Sequence, residues 1–182
     1  MNNHLFRPLL ILTLLLGLAT DILAAPRRNQ LISGMDSRAS IRTRYHRGHS
    51  VLEKWPYDDN FSIGAAYALY EGIGYLEAGL DYAPSGAKES VVDYVITPRL
   101  DMNIKDGIFV AGIGLSNSRV AKKHDGSEWA GWWYQFKLGI DFPLGSSLEV
   151  GAAAYYTFKN WGDLGDFEFR DLEYGLHIGF MF

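Results

Sequence analysis

The 182-residue sequence predicts an all-β chain, an eight-stranded antiparallel up-and-down transmembrane β-barrel, on three observations. Bulky apolar residues recur at every second position, with polar, charged or small residues between them. The connections between these runs alternate between short and long. Charged residues and glycines share one face of the runs, and the aromatic residues gather near their ends.

The alternation is clearest in residues 132–142, WWYQFKLGIDF. Trp132, Tyr134, Phe136, Leu138, Ile140 and Phe142 fall on one face, and Gln135, Lys137, Gly139 and Asp141 on the other. A strand with lipid on one side and a polar lumen on the other accounts for a lysine and an aspartate at that spacing. A composition 48% hydrophobic and 14% aromatic with 20 glycines suits short strands and tight turns. The formal charge of −4 gives no case for nucleic-acid binding, and the lack of cysteine excludes disulfides, thiolate metal sites and cysteine nucleophiles.

Residues 1–24 read as a cleaved signal peptide. Arg7 precedes an apolar run, PLLILTLLLGLA, and LAAPRR supplies small residues for cleavage after Ala24 or Ala25. Residues 25–36 form a short N-terminal segment, and residues 37–182 the barrel. The first strand is expected in SRASIRTRYHR, residues 37–47. At period two, Ala39, Ile41, Thr43 and Tyr45 face one way and Arg38, Ser40, Arg42, Arg44 and His46 the other. The alternative is a basic leader ahead of seven strands. Those seven are expected at 61–70, 75–83, 91–103, 108–118, 132–142, 148–158 and 171–182. Pro98 inside the third of them predicts a bulge or kink.

Short connections are expected at 71–74, 104–107 and 143–147, and longer ones at 84–90, 119–129 and 159–170. The inner face collects Glu77, Asp81, Asp93, Asp101, Asp141, Glu149, Asp171 and Glu173 against Arg38, Arg42, Arg44, Arg99 and Lys137, with His46 and His177. Eight strands leave an interior just wide enough for side chains, so this charge set is expected to fill the lumen with ion pairs. Period two alone does not say which face points inward. A soluble barrel with an apolar ligand cavity is the inverted alternative.

The last strand, EYGLHIGFMF, alternates Tyr174, Leu176, Ile178, Phe180 and a terminal Phe182. It resembles the C-terminal signal read by the outer-membrane barrel assembly machinery. With the leader and the preceding VGAAAYYTF, the chain is similar to small eight-stranded barrels of the OmpA/OmpX type. That resemblance implies a Gram-negative outer-membrane location and contact with outer-membrane lipid and lipopolysaccharide; with no Gly-rich phosphate loop and no zinc spacing, no cofactor is expected. With Phe182 as the last residue, no appended peptidoglycan-binding domain is expected. The class spans adhesins, anchors and lipid-modifying enzymes. The expected role is non-enzymatic, with extracellular loops that contact a surface partner.

A lipid A-modifying enzyme, acyl hydrolase or acyltransferase, is the rival. The deacylase pattern of a histidine close before Ser-Asn is not met, since Ser116-Asn117 has no adjacent histidine and His177 no adjacent serine. Rim candidates are His124, Asp125 and Ser127 in KKHDGSEW, and His46, His49 and Ser50 in the first loop. Asp163 and Asp166 lack the spacing of an EF-hand. Lys122, Lys123, Lys159 and Arg170 are candidates for lipid phosphates, or plain solvated charges.

Overall fold

The computed structural model describes residues 37–46, 61–84 and 91–182. Eight antiparallel strands close into one barrel in sequence order. They are β1 (Ser37–Tyr45), β2 (Phe61–Glu71), β3 (Gly74–Pro84), β4 (Val92–Asp106), β5 (Phe109–Lys122), β6 (Ser127–Pro143), β7 (Leu148–Phe158) and β8 (Glu173–Met181). The basic segment is the closing strand. Arg42 of β1 lies opposite Gly64 of β2 on one side and His177 of β8 on the other.

At one end, residues 72–73 and 107–108 are two-residue turns, and Gly72 and Gly107 take the positive φ that such turns require (63° and 60°). The opposite end carries the longer connections and is called the loop end below. Between β7 and β8 lie two short 3-10 helices, Trp161–Asp166 and Phe169–Asp171.

The faces separate as the alternation dictates. Ile41, Leu69, Leu80, Leu100, Leu138 and Leu176 are exposed on the outer wall, while Arg38, Glu77, Asp101, Asp141 and Glu149 are buried. This opposes the inverted, soluble arrangement, in which the apolar set would point inward. The outer wall carries Trp129 and Trp132 toward the loop end and Phe142, Phe180 and Phe182 toward the turn end.

Four local expectations are corrected. Residues 119–129 are mostly strand, because β5 runs to Lys122 and β6 starts at Ser127, leaving a tight connection at 123–126. Pro98 makes no bulge. It stays paired with Leu80 of β3, and Ile96 and Arg99 keep one register with β5 on either side of it. The missing proline N–H is accommodated where the β5 ladder passes over Thr97 and Pro98. The irregularity lies instead between Val92 and Tyr94, where Asp93 is an extra residue. That bulge inverts the phase of the strand start, so Asp93 is exposed and Val92 is buried with Ala83, Val95 and Val120. Lastly, Asp171 belongs to a 3-10 helix, not to β8, and stands within 4.0 Å of Arg170 rather than in the interior.

Candidate functional site: the charged interior

The interior side chains form three tiers, set by the position of each residue along its strand. The tier nearest the turns centres on Arg38. Its Nη2 meets Glu77 at 2.7 Å and its Nη1 meets Asp141 at 3.2 Å and also Glu149. Lys105 lies 3.5 Å from Asp141 and also pairs with Glu149. His177 Nε2 stands 3.2 Å from Asp141 and 4.0 Å from Glu149. The Arg38 guanidinium also lies 5.2 Å from the ring centre of Tyr75, which stacks on Tyr70 at 4.7 Å. These contacts carry cation–π attraction in a site shielded from water.

In the middle tier Glu77 is shared among Arg99 at 2.7 Å, Arg42 at 3.2 Å and Lys137 at 3.9 Å. Asp81 receives Arg42 at 2.7 Å and Arg99 at 3.5 Å. Asp101 is held by Arg99 and by the Gln135 amide. Glycine makes room for this tier: a Cβ on Gly79 would lie 2.5 Å from Arg42 Nη2 and 3.0 Å from Arg99 Nε.

The tier nearest the loops is built on Arg44. It donates to Gln135 at 2.8 Å and Thr157 at 3.0 Å, pairs with Glu173, and lies 4.2 Å over the Tyr155 ring. His46 links Glu173 to β2, with Nδ1 3.3 Å from the Glu173 carboxylate and Nε2 2.8 Å from Ser62 Oγ.

Among the described residues the network joins Glu77, Asp81, Asp101, Asp141, Glu149 and Glu173 to Arg38, Arg42, Arg44, Arg99, Lys105 and Lys137. Carboxylates and permanent cations are thus equal in number. Buried charges persist where they are paired, and every carboxylate of this network has a cationic partner, across six strands. Asp141, Glu149 and His177 bring their ligand atoms within 4.8 Å of one another, a spacing that could hold a metal ion. Arg38 and Lys105 already neutralise those two carboxylates, so the donor chemistry there is that of an ion-pair cluster.

Sequence reasoning placed Lys105 in a turn and gave no role to Gln135, Tyr75, Tyr155 or Ser62. Lys105 was accessible to it, since β4 continues the Asp101, Asn103 phase to residue 105. The pairing of Ser62 with His46 depends on the strand-to-loop geometry and leaves no mark in spacing.

Of the rim candidates, His46 belongs to this network, and the others that are described lie apart from it. His124 is exposed in the 123–126 connection. Asp125 points toward Lys122 at 4.0 Å, and Ser127 Oγ accepts hydrogen bonds from Arg119. Asp163 accepts from the backbone N–H of Asn160 at 2.8 Å, a cap on the 3-10 turn. Lys122 pairs with Glu128 at 3.2 Å and Arg170 with Glu168 at 2.5 Å. The Lys159 ammonium stands 5.8 Å over Trp133. His49, Ser50 and the Asp166 side chain lie outside the described residues, as do residues 1–36.

The fold places the chain beside known barrels of the outer membrane. The N-terminal β-barrel domain of Pseudomonas aeruginosa OprF superposes with a TM-score of 0.50 at 12% identity, over 82% of this chain and 100% of that one. Neisserial surface protein A (NspA) superposes with a TM-score of 0.51 at 8% identity, over 81% of this chain and 97% of that one. No family model matches the sequence, and no curated protein does. The chain has the fold of the eight-stranded outer-membrane barrels, with an apolar outer wall and an ion-paired interior.

Proposed function

We propose that this protein is a non-enzymatic outer-membrane barrel with an occluded lumen, and that its extracellular loops make its contacts with the surroundings. The observation that carries the reading is the interior itself. Arg38, Glu77, Asp101, Asp141 and Glu149 are nearly inaccessible, and with Arg99 they tie together five of the eight strands. An eight-stranded barrel has no width to spare beyond such side chains. Toward the loop end, Val92, Val95 and Val120 add an apolar layer inside the same wall.

In this reading the protein is exported by a signal peptide. The assembly machinery recognises Tyr174, Leu176, Ile178, Phe180 and Phe182, and the barrel sits among outer-membrane lipid and lipopolysaccharide. Reconstitution into planar bilayers tests the occlusion. The wild-type protein should show no sustained ion conductance, and steady open-channel current would overturn the reading.

One observation favours the rival. Ser62, His46 and Glu173 have the order of contacts found where an imidazole activates a serine, 2.8 Å to the hydroxyl and 3.3 Å to the carboxylate. Ser62 is only 3% exposed, which limits approach of an acyl ester. A fluorophosphonate probe decides between the two. The non-enzymatic reading expects no Ser62 adduct. An adduct lost in Ser62→Ala, with altered lipid A in a deletion strain, would establish the hydrolase.

A further inference from the structure

The connection between β7 and β8 does not stand above the barrel mouth. It folds back over the outside of the wall. Trp161 lies 5.2 Å from Tyr134, 5.3 Å from Phe158 and 6.3 Å from Phe136. Phe167 packs edge-on to Tyr156 at 4.9 Å, and Phe169 to Phe167 at 5.3 Å. The Tyr156 hydroxyl donates to the Asp163 carbonyl at 3.2 Å and fixes the segment against the wall. Phe158 shows the result: its strand phase points outward, yet it is only 2% exposed. The aromatic row ends in Phe169, which is 79% exposed.

The height of this contact decides what surrounds it. From Trp132 to Phe142 the outward face of β6 runs ten residues. At roughly 3.4 Å per residue and a tilt of about 40°, that spans about 26 Å, the height of the apolar band of such barrels. Phe136, paired with Tyr156, is four residues below Trp132 and so about 10 Å inside that band by the same rise and tilt. A segment packed on Tyr134, Phe136 and Tyr156 is therefore level with lipid.

We infer that residues 161–171 form an aromatic foot inserted into the outer leaflet, with Phe167 and Phe169 seated among lipid acyl chains just below the headgroups. The occupant of this face is lipid because the foot continues the lipid-facing wall without a break. Arg170 pairs with Glu168 at 2.5 Å and stands 4.0 Å from Asp171 beside Phe169, so the cation next to the foot is answered by carboxylates. Aromatic side chains favour this boundary, with the ring in the apolar layer and polar groups at its edge. The inference rests on the membrane-barrel reading above.

The chain contains no cysteine, so single-cysteine variants report one position each. Phe169→Cys, Leu138→Cys in the middle of the wall and Asp125→Cys in the 123–126 connection are labelled with an environment-sensitive nitrobenzoxadiazole and reconstituted in phosphatidylcholine vesicles. Quenching is read with lipids brominated at shallow or deep acyl positions and with aqueous iodide. The label at 169 should be quenched by the shallow bromines at least half as strongly as the label at 138, and far less by iodide than the label at 125. Quenching at 169 by iodide to the extent seen at 125 would overturn the foot. So would protection of 169 from both quenchers, which would mean that a second copy or another protein covers it. If the label at 138 itself escapes the brominated lipids, the membrane-barrel reading fails, and that outcome is distinct from failure of the foot.

Discussion

Replacing Arg38 by methionine tests whether the interior network holds the barrel together. Arg38 is 1% exposed and contacts Glu77, Asp141 and Glu149 at once. Without it, Glu77 retains Arg42, Arg99 and Lys137. Asp141 and Glu149 fall back on the single permanent charge of Lys105, with His177 beside them. One carboxylate is then buried and uncompensated. Removing one partner of a buried pair costs about 3–5 kcal/mol, and the low end applies because Lys105 remains. The expected loss of about 3 kcal/mol is roughly a hundredfold in the folding equilibrium. The assay is reversible urea unfolding from phosphatidylcholine vesicles, followed by tryptophan fluorescence. Adding Glu149→Gln to Arg38→Met restores the charge balance and should recover about 1–2 kcal/mol. The reasoning fails if Arg38→Met costs less than about 1 kcal/mol, the scale of a solvent-exposed pair. It also fails if the two substitutions simply add.

Three further outcomes follow from the same geometry. Leu138→Arg, at an outward position in the middle of the wall, should cost about 2–4 kcal/mol in vesicles, because the guanidinium meets hydrocarbon. Equal stability of this variant and wild type in that titration would place the outer wall in water. Gly64→Ala would bring its Cβ to 2.7 Å from the Leu80 carbonyl and against the Asp81 carboxylate, which Arg42 holds in place. Overpacking of that kind should lower stability by about 1–3 kcal/mol in the urea titration. Trp161→Ala removes the ring that covers Phe158 and contacts Tyr134 and Phe136, and should cost about 1–3 kcal/mol while leaving the barrel folded by circular dichroism. An unchanged midpoint would mean that the segment is not seated on the wall.

Most of the barrel was legible because one physical rule repeats along every strand. Apolar residues at every second position form the exposed outer wall and the residues between them meet each other, so Lys137, Asp141 and Glu149 could be placed without any long-range information. Even the basic stretch of β1 yielded to that rule. Asp93 did not, because a one-residue bulge reverses the phase and nothing in VVDYV marks where the extra residue falls. Residues 119–129 were hidden for a related reason: Arg119, Lys122 and Glu128 resemble loop chemistry, yet they line the projecting ends of β5 and β6. The specific partners within the interior were not legible. Which arginine meets which carboxylate depends on ladder register, and period two fixes the face but not the register. The folding of residues 161–171 onto the outer wall was likewise invisible, since their aromatic residues read equally well as an exposed loop.

The central claim is that lipid lies outside this barrel and an ion-paired core inside it. The most direct measurement is gel migration of the native protein from the isolated outer-membrane fraction, with and without boiling. The account predicts that the protein fractionates with the outer membrane, resists detergent while unboiled, and migrates differently once boiled. Recovery as a soluble periplasmic protein with no heat-dependent shift would contradict it.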